Sequence, residues 1–272
     1  MKTWCIIGRR TECPADNQPP EPCRPAAGRT PVRSGGGESG GMREVLRQEK
    51  KYLMTLVDGQ RLCDRLSGVM LEDAHNGPQG YAIRSLYFDT LNDGDYQDKM
   101  EGLELRRKIR LRIYNPAADF AMLEMKQKEG PYQKKRSLRL NREDAERLIL
   151  GDCRSLLRYS DSFAAECFGL MQARCYRPKA VVEYRRRAFI AKENQIRITL
   201  DSQIVATEAS WDIFSPQLLR YPVLDPFNAV LEVKYNGFLL SYIKDLVSAA
   251  NRSETTQSKY CLARSAGLHY QN

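Results

Sequence analysis

In the run Leu105-Arg106-Arg107-Lys108-Ile109-Arg110-Leu111-Arg112-Ile113-Tyr114, the cations Arg106, Lys108, Arg110 and Arg112 occupy alternate positions. An extended strand turns alternate side chains to one face. All four therefore share a face, while Leu105, Ile109, Leu111 and Ile113 share the other. Consecutive cations on that face stand roughly 6 to 7 Å apart and repel one another unless an anion lies among them. For one strand alone, a solvated outer face is the plain alternative. The same division recurs along the chain, however. Glu49 and Lys51 oppose Lys50 and Tyr52; Glu124, Lys126 and Lys128 oppose Leu123 and Met125; Arg197, Thr199 and Asp201 oppose Ile196, Ile198 and Leu200; Glu232 and Lys234 oppose Leu231 and Val233. Arginine suits phosphate, because its planar fork donates two parallel hydrogen bonds and its charge cannot be lost. Carboxylates among the cations suit Mg²⁺ or Mn²⁺ held together with phosphates. An ion pair with a neighbouring cation is the simpler role for Glu49 and Glu124, whereas for Glu232 the two roles stand level.

Composition narrows the chemistry further. Over 272 residues, 43 Lys and Arg against 34 Asp and Glu leave a formal charge of +9, a field that attracts polyanions. The aromatics are spread through strand cores and are not interleaved with surface cations, so a nucleic-acid platform is not expected. His75 and His269 are the only histidines, and neither has a metal-ligating neighbour in sequence. Zinc-hydrolase and Ser-His-Asp chemistries have little to work with. The 8 cysteines form no CxxC pair and are scattered, which reads as reduced thiols. The longest apolar stretch, Gly237 to Ile243, falls far short of the roughly 20 residues that cross a bilayer. Trp4 to Ile7 is too short for a signal-peptide core. A cytoplasmic protein is expected.

The elements that must position these residues follow from periodicity. Residues 1–41 are rich in Pro and Gly and include Ser34-Gly35-Gly36-Gly37-Glu38-Ser39-Gly40-Gly41. They read as a disordered tail, with Met42 an alternative start, and residues 42–272 as one domain. Strands are expected at Glu49–Met54, Ile83–Asp89, Leu105–Tyr114, Phe120–Lys128, Gln133–Leu140, Ala180–Ile190, Ile196–Asp201 and Ala229–Tyr235. Helices are expected at Asp58–Leu71, Asn141–Leu150, Asp161–Ala173 and Leu239–Ala250. The class is α+β, and hairpin-length gaps favour antiparallel pairing. An inverted barrel, with a charged lumen and helices packed outside, accounts for strands that oppose an apolar face to a charged one.

The same residues carry a family resemblance. The succession Glu49-Lys50-Lys51-Tyr52-Leu53, Ser85-Leu86-Tyr87-Phe88-Asp89, Arg110-Leu111-Arg112-Ile113-Tyr114, Glu124-Met125-Lys126, Lys134-Lys135-Arg136-Ser137, Tyr184-Arg185-Arg186-Arg187-Ala188-Phe189, Arg197-Ile198-Thr199-Leu200-Asp201, Leu231-Glu232-Val233-Lys234 and Ser258-Lys259-Tyr260-Cys261 resembles the VTC domain. That is the polyphosphate polymerase domain of the vacuolar transporter chaperone family and its bacterial relatives, within the triphosphate tunnel metalloenzyme, or CYTH-like, superfamily. The resemblance implies an antiparallel eight-stranded β-barrel tunnel in which the γ-phosphate of ATP passes to a growing inorganic polyphosphate chain. By motif position, Lys51, Arg110, Arg112, Lys126, Arg186, Arg197 and Lys259 would grip phosphates, with Tyr184, Ser258, Lys128, Lys134 and Lys234 assisting. Glu232 would hold Mn²⁺ or Mg²⁺, with Glu49 or Glu124 the alternative carboxylates. A membrane-protein partner, and a place at the inner face of a membrane, are implied by the resemblance alone.

Two departures stand out. Thr256 falls where the fungal enzyme has a basic residue. Arg47 takes the place of a metal-site glutamate of the superfamily's hydrolases, which favours transfer over hydrolysis. Phosphoryl transfer asks mainly for positioning and for cations around the equatorial oxygens, so the scarcity of histidine is no obstacle. A tunnel triphosphatase or tripolyphosphatase, and a non-catalytic polyphosphate sensor, are the alternatives.

Overall fold

The computed structural model of the chain describes residues 47–130 and 132–269. The tail expected over residues 1–41 and the side chain of Arg47 lie outside that description. In chain order the elements are β1 (Arg47–Thr55), α1 (Leu56–Ser67), β2 (Leu71–Glu72), β3 (Tyr81–Asp89), α2 (Gly94–Met100), β4 (Arg106–Ile113), β5 (Phe120–Glu129), β6 (Tyr132–Asn141), α3 (Arg142–Ile149), a 3-10 turn (Cys153–Arg158) and α4 (Ser162–Ala173). There follow β7 (Arg177–Ala191), a second 3-10 turn (Glu193–Gln195), β8 (Ile196–Thr207), β9 (Tyr221–Pro222), β10 (Asn228–Asn236), α5 (Ser241–Ala249), β11 (Ser253–Glu254) and α6 (Lys259–His269). Among the described residues no helix is long and apolar enough to cross a membrane.

All the strands form one sheet in the order β11-β1-β10-β8-β7-β3-β4-β5-β6, with β2 added to β7 and β9 to β8. The expected strands are all present and antiparallel, but the closed eight-stranded barrel is not. Three two-residue strands bring the sheet to 11, and it stays open between β6 and β1. The free edge of β1 is taken up instead by β11, which pairs with Tyr52 and Leu53, and by Thr255, whose N–H donates to the Lys51 carbonyl at 2.9 Å. On the opposite edge β6 carries Lys134, Lys135, Arg136 and Arg139, the kind of charge that discourages further pairing. The sheet nonetheless curls until β5 meets β1, where Lys126 Nζ lies 2.9 Å from Glu49 Oε2. Side chains span the gap that backbone bonds leave open.

The core lies outside the curl. Ile109, Leu111, Ile113, Leu123 and Met125 are buried under α3 and α4, and Leu200, Leu231 and Val233 under α1 and α5. These helices start where the side-chain chemistry says they should: Asn141 accepts from the Asp144 N–H at 2.8 Å, and Asp161 from the Phe163 N–H at 2.7 Å. Helix α1 begins earlier than its apolar stripe, because Thr55 accepts from the Asp58 N–H at 3.1 Å, and it stops at Gly68.

Helix α6 breaks the pattern by lying on the inner, charged face. Its Tyr260 stacks on Tyr87 with ring centroids 5.0 Å apart, and the Tyr260 hydroxyl donates to Asp89 at 2.7 Å. Tyr260 and Ala263 join Ile83, Val182, Tyr184 and Ile204 in an apolar plug within the curl. A bulge makes the plug possible. The β7–β8 register slips between Glu183 and Arg185, with Gln203 at φ 52. The inner positions of β8 therefore run Arg197, Thr199, Asp201 and then Ile204, Ala206. Without the extra residue Gln203 and Val205 would face inward.

Candidate functional site

Direct cross-strand partners share a face, so the register fixes the inner surface. Lys51 stands opposite Glu232, Glu49 opposite Lys234, Lys234 opposite Arg197, Arg186 opposite Asp201, Arg110 opposite Glu124, and Lys108 opposite Lys126. With Ser85 and Tyr87 of β3 and Lys135 of β6, residues from eight strands and α6 converge on one concave surface.

Three clusters organise it. In the first, Glu124 accepts from Arg110 at 2.7 Å and Lys135 at 2.5 Å, with Arg112 3.6 Å away. Burial would raise the Glu124 carboxyl, but Arg110, Arg112 and Lys135 overcome it and hold it at about 2. Arg110 also donates to the Tyr87 hydroxyl at 3.1 Å, and Arg112 to Ser85 at 3.3 Å. In the second, the fully buried Asp201 receives a two-pronged bond from Arg186, at 2.6 and 2.8 Å, and the Lys259 ammonium at 2.5 Å. Burial again pushes the Asp201 carboxyl up, and Arg186 and Lys259 pull it below its ordinary value. In the third, Glu232 meets Lys234 at 2.5 Å and Arg186 at 3.7 Å. Against the upward push of burial, Lys234, Lys51, Lys259 and Arg186 hold its carboxyl well below the usual range.

Tyr184 stands between the first two clusters. Its hydroxyl accepts from Arg112 at 3.4 Å, and its ring lies under Arg186 and Lys259, at 5.3 and 4.6 Å from the centroid. Glu49 joins Lys126 at 2.9 Å to Lys51 at 3.3 Å. Arg197 sits nearer one mouth and donates to Asp73 at 2.7 Å and to the Tyr81 hydroxyl at 3.3 Å.

The inner face therefore gathers Lys51, Arg110, Arg112, Lys126, Arg186, Arg197, Lys259, Tyr184, Lys128, Lys234, Glu232, Glu49 and Glu124. Two assignments change. Lys134 faces outward, because the β5–β6 register places it opposite Gln127; its neighbour Lys135 lies opposite Lys126 and reaches Glu124. Ser258 serves as the cap of α6, its hydroxyl accepting from the Cys261 N–H at 3.1 Å. Asp201 escaped the sequence reading as a site residue although alternation had put it on the right face. Its partner Lys259 comes from a helix that periodicity did not reveal.

The arrangement defines a class: a curled antiparallel sheet whose concave face is a basic, carboxylate-studded surface. The VTC domain family matches residues 46–267, and the chain belongs to it. No curated protein matches the chain. Among solved structures it is similar to a Bacillus halodurans protein described as a candidate adenylate cyclase, with 12% identity over 78% of this chain and 96% of that one at a TM-score of 0.45. It is also similar to the PH1819 protein of Pyrococcus horikoshii, with 10% identity over 83% and 100% of the two chains at a TM-score of 0.41.

Proposed function

We propose that this chain is a metal-dependent polyphosphate polymerase that moves the γ-phosphate of ATP onto the end of a growing inorganic polyphosphate chain. The observation that carries the reading is the convergence of Arg110, Arg112, Arg186 and Lys259 around Tyr184, in a member of the VTC family. A terminal oxygen of the chain forms a bond to the γ-phosphorus as the bond from that phosphorus to the β,γ-bridging oxygen breaks. The electron pair leaves with ADP. The transition state is loose, and its charge rests on the equatorial oxygens. Fixed guanidinium and ammonium groups lower its energy without reorganising. The attacking phosphate is already anionic near neutral pH, so no general base is required.

Among the described residues no group of three His, Cys, Asp or Glu side chains gathers as a ready cation cage. Glu232 offers a single carboxylate, paired with Lys234 at 2.5 Å and 3.7 Å from Arg186, so an ion there would take the place of the Lys234 ammonium. That donor set fits Mn²⁺ or Mg²⁺ carried in with phosphate oxygens and water as its other ligands, and Glu232 would hold it. When bound, such an ion neutralises charge on the donor's phosphates.

The test incubates purified protein with ATP and Mn²⁺ or Mg²⁺ and separates the products on a gel. Long chains are expected, and Glu232→Gln should abolish them while leaving the binding of metal-free polyphosphate intact or tighter. Orthophosphate as the sole product would make the protein a triphosphatase. ATP left unconsumed would make it a binding protein.

A further inference from the structure

At the end of β4 away from Arg106, an aromatic cluster borders the phosphate-gripping surface. Tyr81, opposite Arg186 in register, and Tyr114, two positions beyond Arg112, place their ring centroids 6.2 Å apart at 50°. The His75 ring lies 6.1 Å from Tyr81. Tyr114 is 49% exposed, so the core does not account for it. The loop that presents His75 is held firmly. Asn76 exchanges two hydrogen bonds with the Ala188 backbone, at 2.9 and 3.1 Å, and Asp73 accepts from both His75 and Arg197. Gly80 closes the loop at φ 74, where a Cβ would come within 2.2 Å of the Arg186 carbonyl oxygen. The cluster is thus built in advance of any ligand, and the phosphate grips begin where its rings end.

We infer that Tyr114 and Tyr81, with His75 at the rim, form a shelf on which the adenine base of the donor nucleotide stacks. This inference rests on ATP being the donor. The base lies at this mouth, the α-phosphate meets Arg197 and Arg186, and the γ-phosphate reaches toward Arg112 and Arg110. Tyr114 and Arg110 are separated along the strand by about 13 Å, a span suited to an extended nucleoside triphosphate. Stacking tolerates any base but favours the larger purine faces.

The test compares ATP with inorganic tripolyphosphate, which has the phosphates without the base, by calorimetric titration of wild type, Tyr114→Ala and Tyr114→Trp. Tyr114→Ala should weaken ATP about tenfold and leave tripolyphosphate unchanged, while Tyr114→Trp restores ATP. An unchanged ratio of the two affinities in Tyr114→Ala overturns the shelf. The two proposals fail separately. If wild type makes chains and Tyr114→Ala keeps its KM for ATP, the shelf falls and the polymerase stands. If ATP binding depends on Tyr114 but no chains form, the shelf stands and the polymerase falls.

Discussion

The middle of the inner face and the part near the start of β4 solve the same electrostatic problem in opposite ways. In the middle every cation has a carboxylate: Arg186 and Lys259 share Asp201, Arg110 and Lys135 share Glu124, and Lys234 takes Glu232. Near the start of β4, Arg106 faces Lys128 and Lys108 faces Lys126 across the strands. Among the described residues, Arg106, Lys108 and Lys128 make no ion pair. Burial, with Lys51 and Lys99 adding to it against the opposing pull of Cys261 and Tyr87, draws the Lys108 ammonium down to about 8. The paired middle balances its own charges without a ligand, since a buried charge that keeps its partner is tolerated. The unpaired end is relieved only by an anion, so fixed geometry comes from the one and a field that attracts anions from the other.

Breaking the paired middle should have the largest effect. Asp201→Ala takes the carboxylate from the buried Lys259 and leaves Arg186 only Glu232 at 3.7 Å, and is expected to cost about 3–5 kcal/mol, read as a lower urea midpoint. Added tripolyphosphate should recover more stability in the variant than in wild type. A wild-type midpoint would show that pairing does not hold this region together.

Next in size is Arg112→Ala. Glu124 keeps Arg110 and Lys135, so the fold should lose less than in Asp201→Ala, while loss of one preorganised donor should lower kcat about a hundredfold. A melt that falls as far as that of Asp201→Ala, with kcat intact, would make Arg112 a structural partner only.

The smallest effect belongs to the unpaired end. Lys108→Met removes a charge that repels its neighbours, so thermal stability should hold or rise while long-chain polyphosphate binds a few-fold more weakly. The pH dependence sharpens the point. Folding lowers the Lys108 pKa from 10.5 to about 8, so between those values the unfolded chain binds more protons, and wild-type stability gains as pH rises through that window. Lys108→Met should lack that gain. Urea midpoints from pH 7.5 to 10.5 that run parallel for the two proteins would mean Lys108 is already compensated.

The long strands, the outward helices and the charged face were legible because each is written in a local period: two for strands, 3.6 for helices. Helix α6 was not, since Lys259 and Tyr260 both face a charged and aromatic interior and leave no one-sided apolar stripe. Strands β2, β9 and β11 are two residues each, too short to show any period. The choice between Lys134 and Lys135 turned on register alone. Shifting β6 by one residue exchanges its faces, and nothing in Lys134-Lys135-Arg136 marks which lysine turns inward.

What the chain determined by itself is therefore the division of each long strand into an apolar and a charged face, because side-chain direction along a strand follows from backbone geometry within a few residues. Which charges meet was decided only by the fold. The bond from Lys259 to Asp201, the bridge from Lys126 to Glu49 and the inward turn of Ile204 past the bulge depend on how distant segments register and how far the sheet curls. Those are properties of long-range pairing, and no local period encodes them.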